Sequence, residues 1–363
     1  MKQIQALNKI FSISLRYDYT MKKISLLLIC CVTSYTFAQI GGTYAFPFLN
    51  LTYNARAAGL GNQFITAKDN DINIGISNPS LLNKEMHKMI SINQALLAGG
   101  INYGQLAYGK AIKKGVLGLS MRYINYGEFK RTTITGEEIG TFNPFECVVG
   151  ASYGKQLNPR ISVGGTMNFI YSQLEAYSSF GLSLDLAGTY VSKDGNLLVT
   201  AMVKNAGVQL NGYDGQARKP LPINFQLGAS YKLAHAPFRF SILTHHLNKW
   251  DLTYNDPNAK PTIDPLTGET VPVATASFIE KLANHFIFQA EILMSKNLHV
   301  RAGFDYHRRQ ELKLEQLPGL AGFTFGIGFK FKKIKIDYGL SVFSRAGYNN
   351  MLTLSSCISD WKK

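Results

Sequence analysis

His245 and His246 stand side by side, and paired imidazoles suggest a divalent-metal site. The segment carrying them reads as a β-strand, however. Neighbouring strand side chains point to opposite faces, so a regular strand cannot aim both rings at one ion. A structural histidine pair without metal is therefore expected. A second set, Arg122, Asp185, Lys232, Arg239, Glu291, Arg301, Asp305 and Asp337, falls on the polar faces of strand-like segments. Charges so placed can pair with one another or line a polar site, and pairing is the expectation. The chain holds neither a Gly-x-Ser-x-Gly elbow nor a phosphate-binding glycine loop. No catalytic residue, cofactor or enzymatic activity is expected.

The elements that must position these residues are strands. Charged residues make up 17% of the chain, against about 25% in ordinary soluble domains. No apolar run beyond the N-terminal leader is long enough for a membrane-spanning helix. Apolar character is instead spread in alternation. Phe323, Phe325, Ile327, Phe329 and Phe331 share one face, with Thr324, Gly326, Gly328 and Lys330 on the other. The same period of two runs through Ile161–Tyr171, Phe180–Leu186 and Leu298–Tyr306. Fourteen such segments can be counted, at 86–98, 101–112, 115–127, 145–156, 160–174, 179–192, 195–208, 222–233, 237–248, 284–294, 297–307, 321–332, 334–345 and 348–357. Each is near the length that crosses a bilayer as a tilted strand. Connections after even-numbered segments are short and polar. The long ones, 128–144, 209–221, 249–283 and 308–320, all follow odd-numbered segments. Short turns at one end and long loops at the other are the mark of an outer-membrane barrel, with the turns in the periplasm. The fold class is therefore an all-β, transmembrane antiparallel barrel spanning 86–363.

Ahead of it, Lys22 and Lys23, the apolar run Ile24–Val32 and Thr36-Phe37-Ala38 form an export signal. Residues 1–38 are expected to be a cleaved leader, with the true start at Met21. Cys147 and Cys357 then remain, predicted at opposite barrel ends and too far apart to join. The net charge of +15 suits anionic lipid headgroups or lipopolysaccharide better than nucleic acid. A fourteen-stranded lumen is wider than wall side chains can fill. The segment 39–85, rich in turn signals and lacking alternation, is expected as a plug inserted from the periplasmic side. Tyr123, Tyr171, Tyr190, Tyr231, Trp250 and Tyr306 are expected in the interfacial aromatic girdles.

Ala55-Arg56-Ala57-Ala58-Gly59-Leu60-Gly61-Asn62, Asp69-Asn70-Asp71 and Asn78-Pro79-Ser80 resemble the plug signature of FadL-like barrels. Arg56, Gly59, Gly61, Asn78 and Pro79 carry the motif. Ser80 stands where that family commonly has Ala, and Asn62 replaces a common second Gly. Gly41–Leu51, Ile101–Gly104, Tyr126–Phe129, Ile170–Ser172, Lys232–Arg239 and Trp250–Tyr254 are similar to the PorQ-type barrels of the type IX secretion system. This resemblance implies a non-enzymatic member of a surface attachment complex. Such a barrel holds a PorZ-like surface protein beside PorU- and PorV-like proteins, so that secreted cargo is processed and linked to anionic lipopolysaccharide. A FadL-like transporter of hydrophobic small molecules is the alternative. Lipid takes the wall and the plug takes the lumen, which leaves the loop end for a partner. The loop 249–283 is the longest, with Trp250, Tyr254, Asp256 and Asp264 as candidate contacts and a short helix expected over 274–283.

Overall fold

The computed structural model describes residues 42–97, 100–253, 261–263, 270–271, 275–313, 319–344 and 347–361. The leader expected over 1–38 lies outside them. Fourteen strands close into an antiparallel barrel. They are β1 (Met89–Leu96), β2 (Asn102–Ile112), β3 (Gly115–Asn125), β4 (Phe145–Gln156), β5 (Ile161–Leu174), β6 (Tyr177–Val191) and β7 (Leu197–Gln209). They continue as β8 (Asn224–Lys232), β9 (Phe238–Thr244), β10 (Phe286–Ile292), β11 (Leu298–Asp305), β12 (Phe323–Phe331), β13 (Ile334–Ser344) and β14 (Gly347–Cys357). Each pairs with its chain neighbours, and β14 returns to β1 with Met89 opposite Cys357. Closure leaves no unpaired edge, the condition for a sheet to stand in hydrocarbon.

The alternation read from the sequence is the wall itself. On β12, Phe325, Ile327, Phe329 and Phe331 face outward, while Thr324 is buried in the lumen. On β6, Phe180, Leu184 and Leu186 point out, and Ser183 and Asp185 point in. No described helix is long and apolar enough to cross a membrane; the strands do so.

The segment before β1 lies within the lumen. It forms a 3-10 turn at Pro47–Asn50, α1 (Ala55–Ala58), α2 (Ile72–Ser77) and 3-10 turns at Pro79–Leu81 and Lys84–Met86. Short polar caps start every piece after the first. Asn54 Oδ1 accepts from Ala57 N, Asp71 Oδ1 from Asn73 N, and Asn78 Oδ1 from Ser80 N. Its apolar side chains, among them Phe46, Leu49, Leu60, Ile72, Ile74 and Met86, are almost fully buried. They form the core that the wall alone could not supply. The first described plug residues lie at the loop end, not at the periplasmic end expected from sequence. Ala45 N donates to Pro220 O in the loop between β7 and β8 (2.9 Å). The segment thus starts at the loop end and runs down the lumen, reaching β1 at the turn end.

Other departures are local. Strand β9 stops at Thr244 rather than continuing to 248, because His246 takes a left-handed backbone (φ 54). Strand β11 ends at Asp305, whose carboxylate caps Arg308 N and starts α4 (Tyr306–Leu312). Tyr306 therefore leaves the girdle, and the loop expected at 308–320 begins as helix. The loop 128–144 folds back as a hairpin pairing Phe129–Thr132 with Glu138–Phe142. Within 249–283, Thr262–Ile263 pairs with Thr270–Val271, and α3 covers Phe278–Ala283.

Glycines mark where plug backbone meets wall backbone. A Cβ on Gly164 of β5 would sit 2.3 Å from the Pro79 carbonyl carbon. Backbone cannot rotate away as a side chain can. Gly164→Val is expected to destabilise the barrel by about 1–3 kcal/mol, the cost of overpacking. Gly188→Val, whose Cβ meets nothing within 4 Å, should be near neutral. Urea midpoints, followed by the mobility shift between folded and heated barrel on gels, would check the pair.

Candidate functional site

Three adjoining strands place a row of charge across the lumen wall. Arg239 on β9 is the register partner of Glu291 on β10, and Glu291 is the partner of Arg301 on β11. Arg239 Nη1 lies 2.7 Å from Glu291 Oε2, and Arg301 Nε lies 3.1 Å from Glu291 Oε1. Arg301 Nη1 then reaches Asp337 on β13 at 2.7 Å, across a strand whose Gly328 leaves room. A Cβ on Gly328 would meet Asp337 Oδ1 at 2.3 Å and Arg301 Nη2 at 2.8 Å.

The plug docks on this row through Arg56. Its Nε and Nη2 donate to the two Glu291 oxygens, both at 2.9 Å. Nη2 also lies 2.5 Å from Asp69, and Nη1 lies 3.6 Å from Asp71. Lys335 closes the set, 3.0 Å from Asp71 and 3.1 Å from Asp337. Arg56, Arg239, Arg301 and Lys335 thus face Asp69, Asp71, Glu291 and Asp337, a cluster without net charge. Burying it is tolerable only because every charge has an opposite partner.

The other motif residues shape the contact. Gly61 has φ 69, and a Cβ there would strike Ile287 Cγ2 at 2.2 Å. Gly59 lets α1 lie against β12, where a Cβ would sit 2.8 Å from Gly326 Cα. Asn78 accepts from Ser80 Oγ (2.7 Å) and donates to Ile65 O (2.8 Å), which fixes Pro79 against β4 and β5. Ser80, the departure from the family pattern, adds a bond to Thr189 Oγ1 at 2.7 Å. Asp69 and Lys335 were not anticipated as ion partners. Lys335 and Asp337 stand two apart on one strand, and that spacing is the signal that could have paired them.

What remains open at mid-lumen is small. Between plug and wall lies a chamber of about 70 Å³, lined by Tyr53, Asn54, Arg122, Asn168, Asp185 and Lys204 among others. Arg122 Nη2 donates to Asn168 Oδ1 (3.1 Å), and its guanidinium lies over the Tyr53 ring. A larger cavity of about 560 Å³ opens at the turn end, with Asp69, Asp71, Lys232, Lys296, Lys330 and Lys335 in its walls.

At the loop end, the histidine pair corrects the strand argument. Both residues lie past the end of β9, and the left-handed His246 turns its ring back. The two Nδ1 atoms are 2.6 Å apart, one ring donating to the other. His285 bridges the carbonyls of His245 (2.8 Å) and Trp250 (3.1 Å). Among the described residues, no three His, Cys, Asp or Glu side chains are placed to hold a metal ion. Burial, then the nearby His307 and His285, hold the His246 ring down to about 4. Burial and His246 likewise lower His245 well below its ordinary value. Trp250 is half exposed and packs at a tilt against Phe278 of α3 (ring centres 5.3 Å apart). Ser277 and Glu280 cap α3 reciprocally, and Lys281 pairs with Asp251 at 2.8 Å. Phe278 and Ile279 stay 66% and 75% exposed. Tyr254, Asp256 and Asp264 lie outside the described residues. Cys147 and Cys357 are both free.

The family described as Type IX secretion system protein PorV matches residues 38–250. The chain belongs to the PorV family. The match covers the plug and the barrel through β9. Solved barrels also align with it. One is a deltaS2 mutant of the TodX monoaromatic hydrocarbon channel. It is 15% identical, with TM-score 0.54, over 85% of this chain and 99% of that one. The deltaS2S3 mutant of TodX is 12% identical with TM-score 0.52, over 84% and 99% of the two chains. TodX is described as the toluene transporter of Pseudomonas putida. At such identity the likeness is one of fold. No curated protein sequence matches the chain. PorV-family membership and this barrel fold place the protein in the outer membrane, in type IX secretion.

Two outcomes test the site. Arg56→Ala leaves the buried cluster one positive charge short, with Arg239 and Arg301 still on Glu291, and should cost about 3 kcal/mol. It should also speed proteolysis within 42–88, with Arg56→Lys intermediate because it keeps charge but loses the two-pronged bond. The histidine pair makes the loop end acid-sensitive. His246 is neutral in the fold down to about pH 4, while the unfolded chain takes up its proton near the ordinary 6.5. Stability is therefore full above 6.5 and lost as pH falls toward 4, by about 3 kcal/mol. His246→Asn should flatten that slope in urea melts run across the range.

Proposed function

We propose that this PorV-family barrel is of the PorQ type, a non-enzymatic docking component of the type IX attachment complex. In this reading it holds a PorZ-like surface protein at the outer membrane beside PorU- and PorV-like partners. Cargo is then processed and linked to anionic lipopolysaccharide by those partners. The observation that carries the reading is the filled lumen. Plug and wall interlock through the eight-membered charge cluster and leave only a small polar chamber above it, while the larger cavity opens below it at the turn end. The surface free for a protein partner is then the loop end.

There, the ridge of Trp250, Phe278, Ile279 and Leu282 is exposed and apolar beside the Asp251–Lys281 pair. An aromatic core with a charged rim is the composition of a protein contact. The loop 249–283 is accordingly the main docking element. Deleting 258–275, or introducing Phe278→Glu with Ile279→Glu, should leave the barrel folded by its gel mobility shift. The PorZ-like protein should then be lost from the cell surface and from pull-downs. Full retention of that partner in both variants would sink the proposal.

The alternative takes its motive from the TodX likeness, since that protein is described as a monoaromatic hydrocarbon channel. Arg122, Lys204 and Asp185 in the chamber oppose an apolar ligand. Hydrocarbon uptake lost on gene deletion, with secretion intact, would favour the channel instead.

A further inference from the structure

The exposed positive charge is concentrated at the turn end and lacks partners there. The short connections carry Lys113 and Lys114, Arg160, Lys193, Lys296, and Lys332 with Lys333, all exposed and spread around the whole rim. Against them at that end stand the exposed carboxylates Glu85, Asp194 and Asp360. Asp194 is already occupied within its own turn by Ser192 and Asn196.

The loop end behaves differently. Three of its cations meet carboxylates, Lys130 with Glu138 (2.5 Å), Arg131 with Glu175 (2.9 Å) and Lys281 with Asp251 (2.8 Å), and Lys219 donates to the Gly42 carbonyl (3.0 Å). None of the turn-end lysines named above has a carboxylate within ion-pair distance among the described residues. A ring of like charge repels itself, so it needs counter-charge from outside the chain.

The level of the ring points to where that counter-charge lies. Tyr153, Tyr190 and Tyr231 face outward at the turn ends of β4, β6 and β8, and Trp361 follows β14. Tyr153 donates to the Lys114 carbonyl (3.1 Å), and Lys333 Nζ lies 5.3 Å from the Trp361 ring centre. Outward aromatics settle at the headgroup boundary. Lysines at their level can extend to phosphates while their stems stay on apolar surface. A ring that encircles the barrel fits a surrounding leaflet rather than a partner seated on one side. Lipopolysaccharide fills the opposite leaflet, where Lys130, Arg131 and Lys281 are already paired.

We propose that the turn-end ring binds anionic phospholipid headgroups of the periplasmic leaflet, gathering an acidic lipid annulus around the barrel. The test uses the barrel with its plug, residues 39–363, in phosphatidylcholine vesicles containing phosphatidylglycerol. Spin-labelled forms of each lipid report which associates with the wall. The wild type should prefer phosphatidylglycerol by about fivefold at low salt, from roughly 1 kcal/mol of attraction per lysine near the surface. The preference should shrink toward unity as salt screens it. Combined Lys→Gln changes at 113, 114, 193, 296, 332 and 333 should remove most of it. Gln at Lys130, Lys219 and Lys281 should leave it intact. Gel mobility shifts verify that each variant is a closed barrel. The wild-type salt series stands alone if the sixfold variant does not fold. No anionic preference in the wild type overturns the proposal, as would happen if the counter-charge were an acidic periplasmic protein. So does a preference that survives in the folded sixfold variant, or one abolished by the loop-end control.

Discussion

A sheet that crosses lipid must close, and closing fourteen strands leaves a lumen too wide for inward side chains to fill. The architecture follows from that constraint. The chain fills the space with its own segment 42–88, and each piece of the segment meets a matching part of the wall. Phe46 and Leu49 pack under the loop end, Leu60, Phe64 and Ile74 at mid-height, and Ile72, Leu82 and Met86 against β2 and β3. Glycines at 59, 164 and 326 let backbone approach backbone where a side chain would hold the layers apart.

The charge cluster gives this packing its register. Apolar contact alone would allow the plug to slide along a lumen of repeating strands. Arg56 finds two carboxylate oxygens of Glu291 at one height only, flanked there by Arg239 and Arg301. The energetic value of such a cluster lies less in net attraction than in the penalty of leaving any member unpaired. Plug and wall are therefore coupled, and a change in one is felt as an unpaired charge in the other. The same coupling leaves little room for a ligand between plug and wall at mid-height, and turns attention to the barrel's surfaces.

Those surfaces divide by chemistry. The wall presents alternate apolar side chains to lipid. The loop end carries an aromatic ridge, balanced ion pairs and a neutral histidine pair. The turn end carries unpaired lysines at the height of an aromatic belt. Docking at one face and lipid selection at the other are compatible, since they use residues on opposite ends of the same strands.

Much of this is legible in the order of the residues. A period of two puts every second residue on one face whatever the sheet does, so spacing alone assigns Phe325, Ile327 and Phe329 to one side. The order of short and long connections likewise tells the two ends apart. Arg56, Gly59, Gly61, Asn78 and Pro79 are recognisable as a plug motif, and two unpaired cysteines follow from strand length. Tertiary structure alone decides what those residues touch. Arg56 and Glu291 are far apart in the chain, and no local rule joins them. Adjacent histidines share a hydrogen bond because one left-handed residue ends the strand, a choice made by the contacts of His245 and His285 across the rim. Likewise, the sequence sets the amount of positive charge, but its lack of partners emerges only when the barrel closes and brings the turns into one ring. Periodicity is a property of the backbone and travels with the sequence. Pairing depends on distance through space, which only the closed barrel with its plug in place defines.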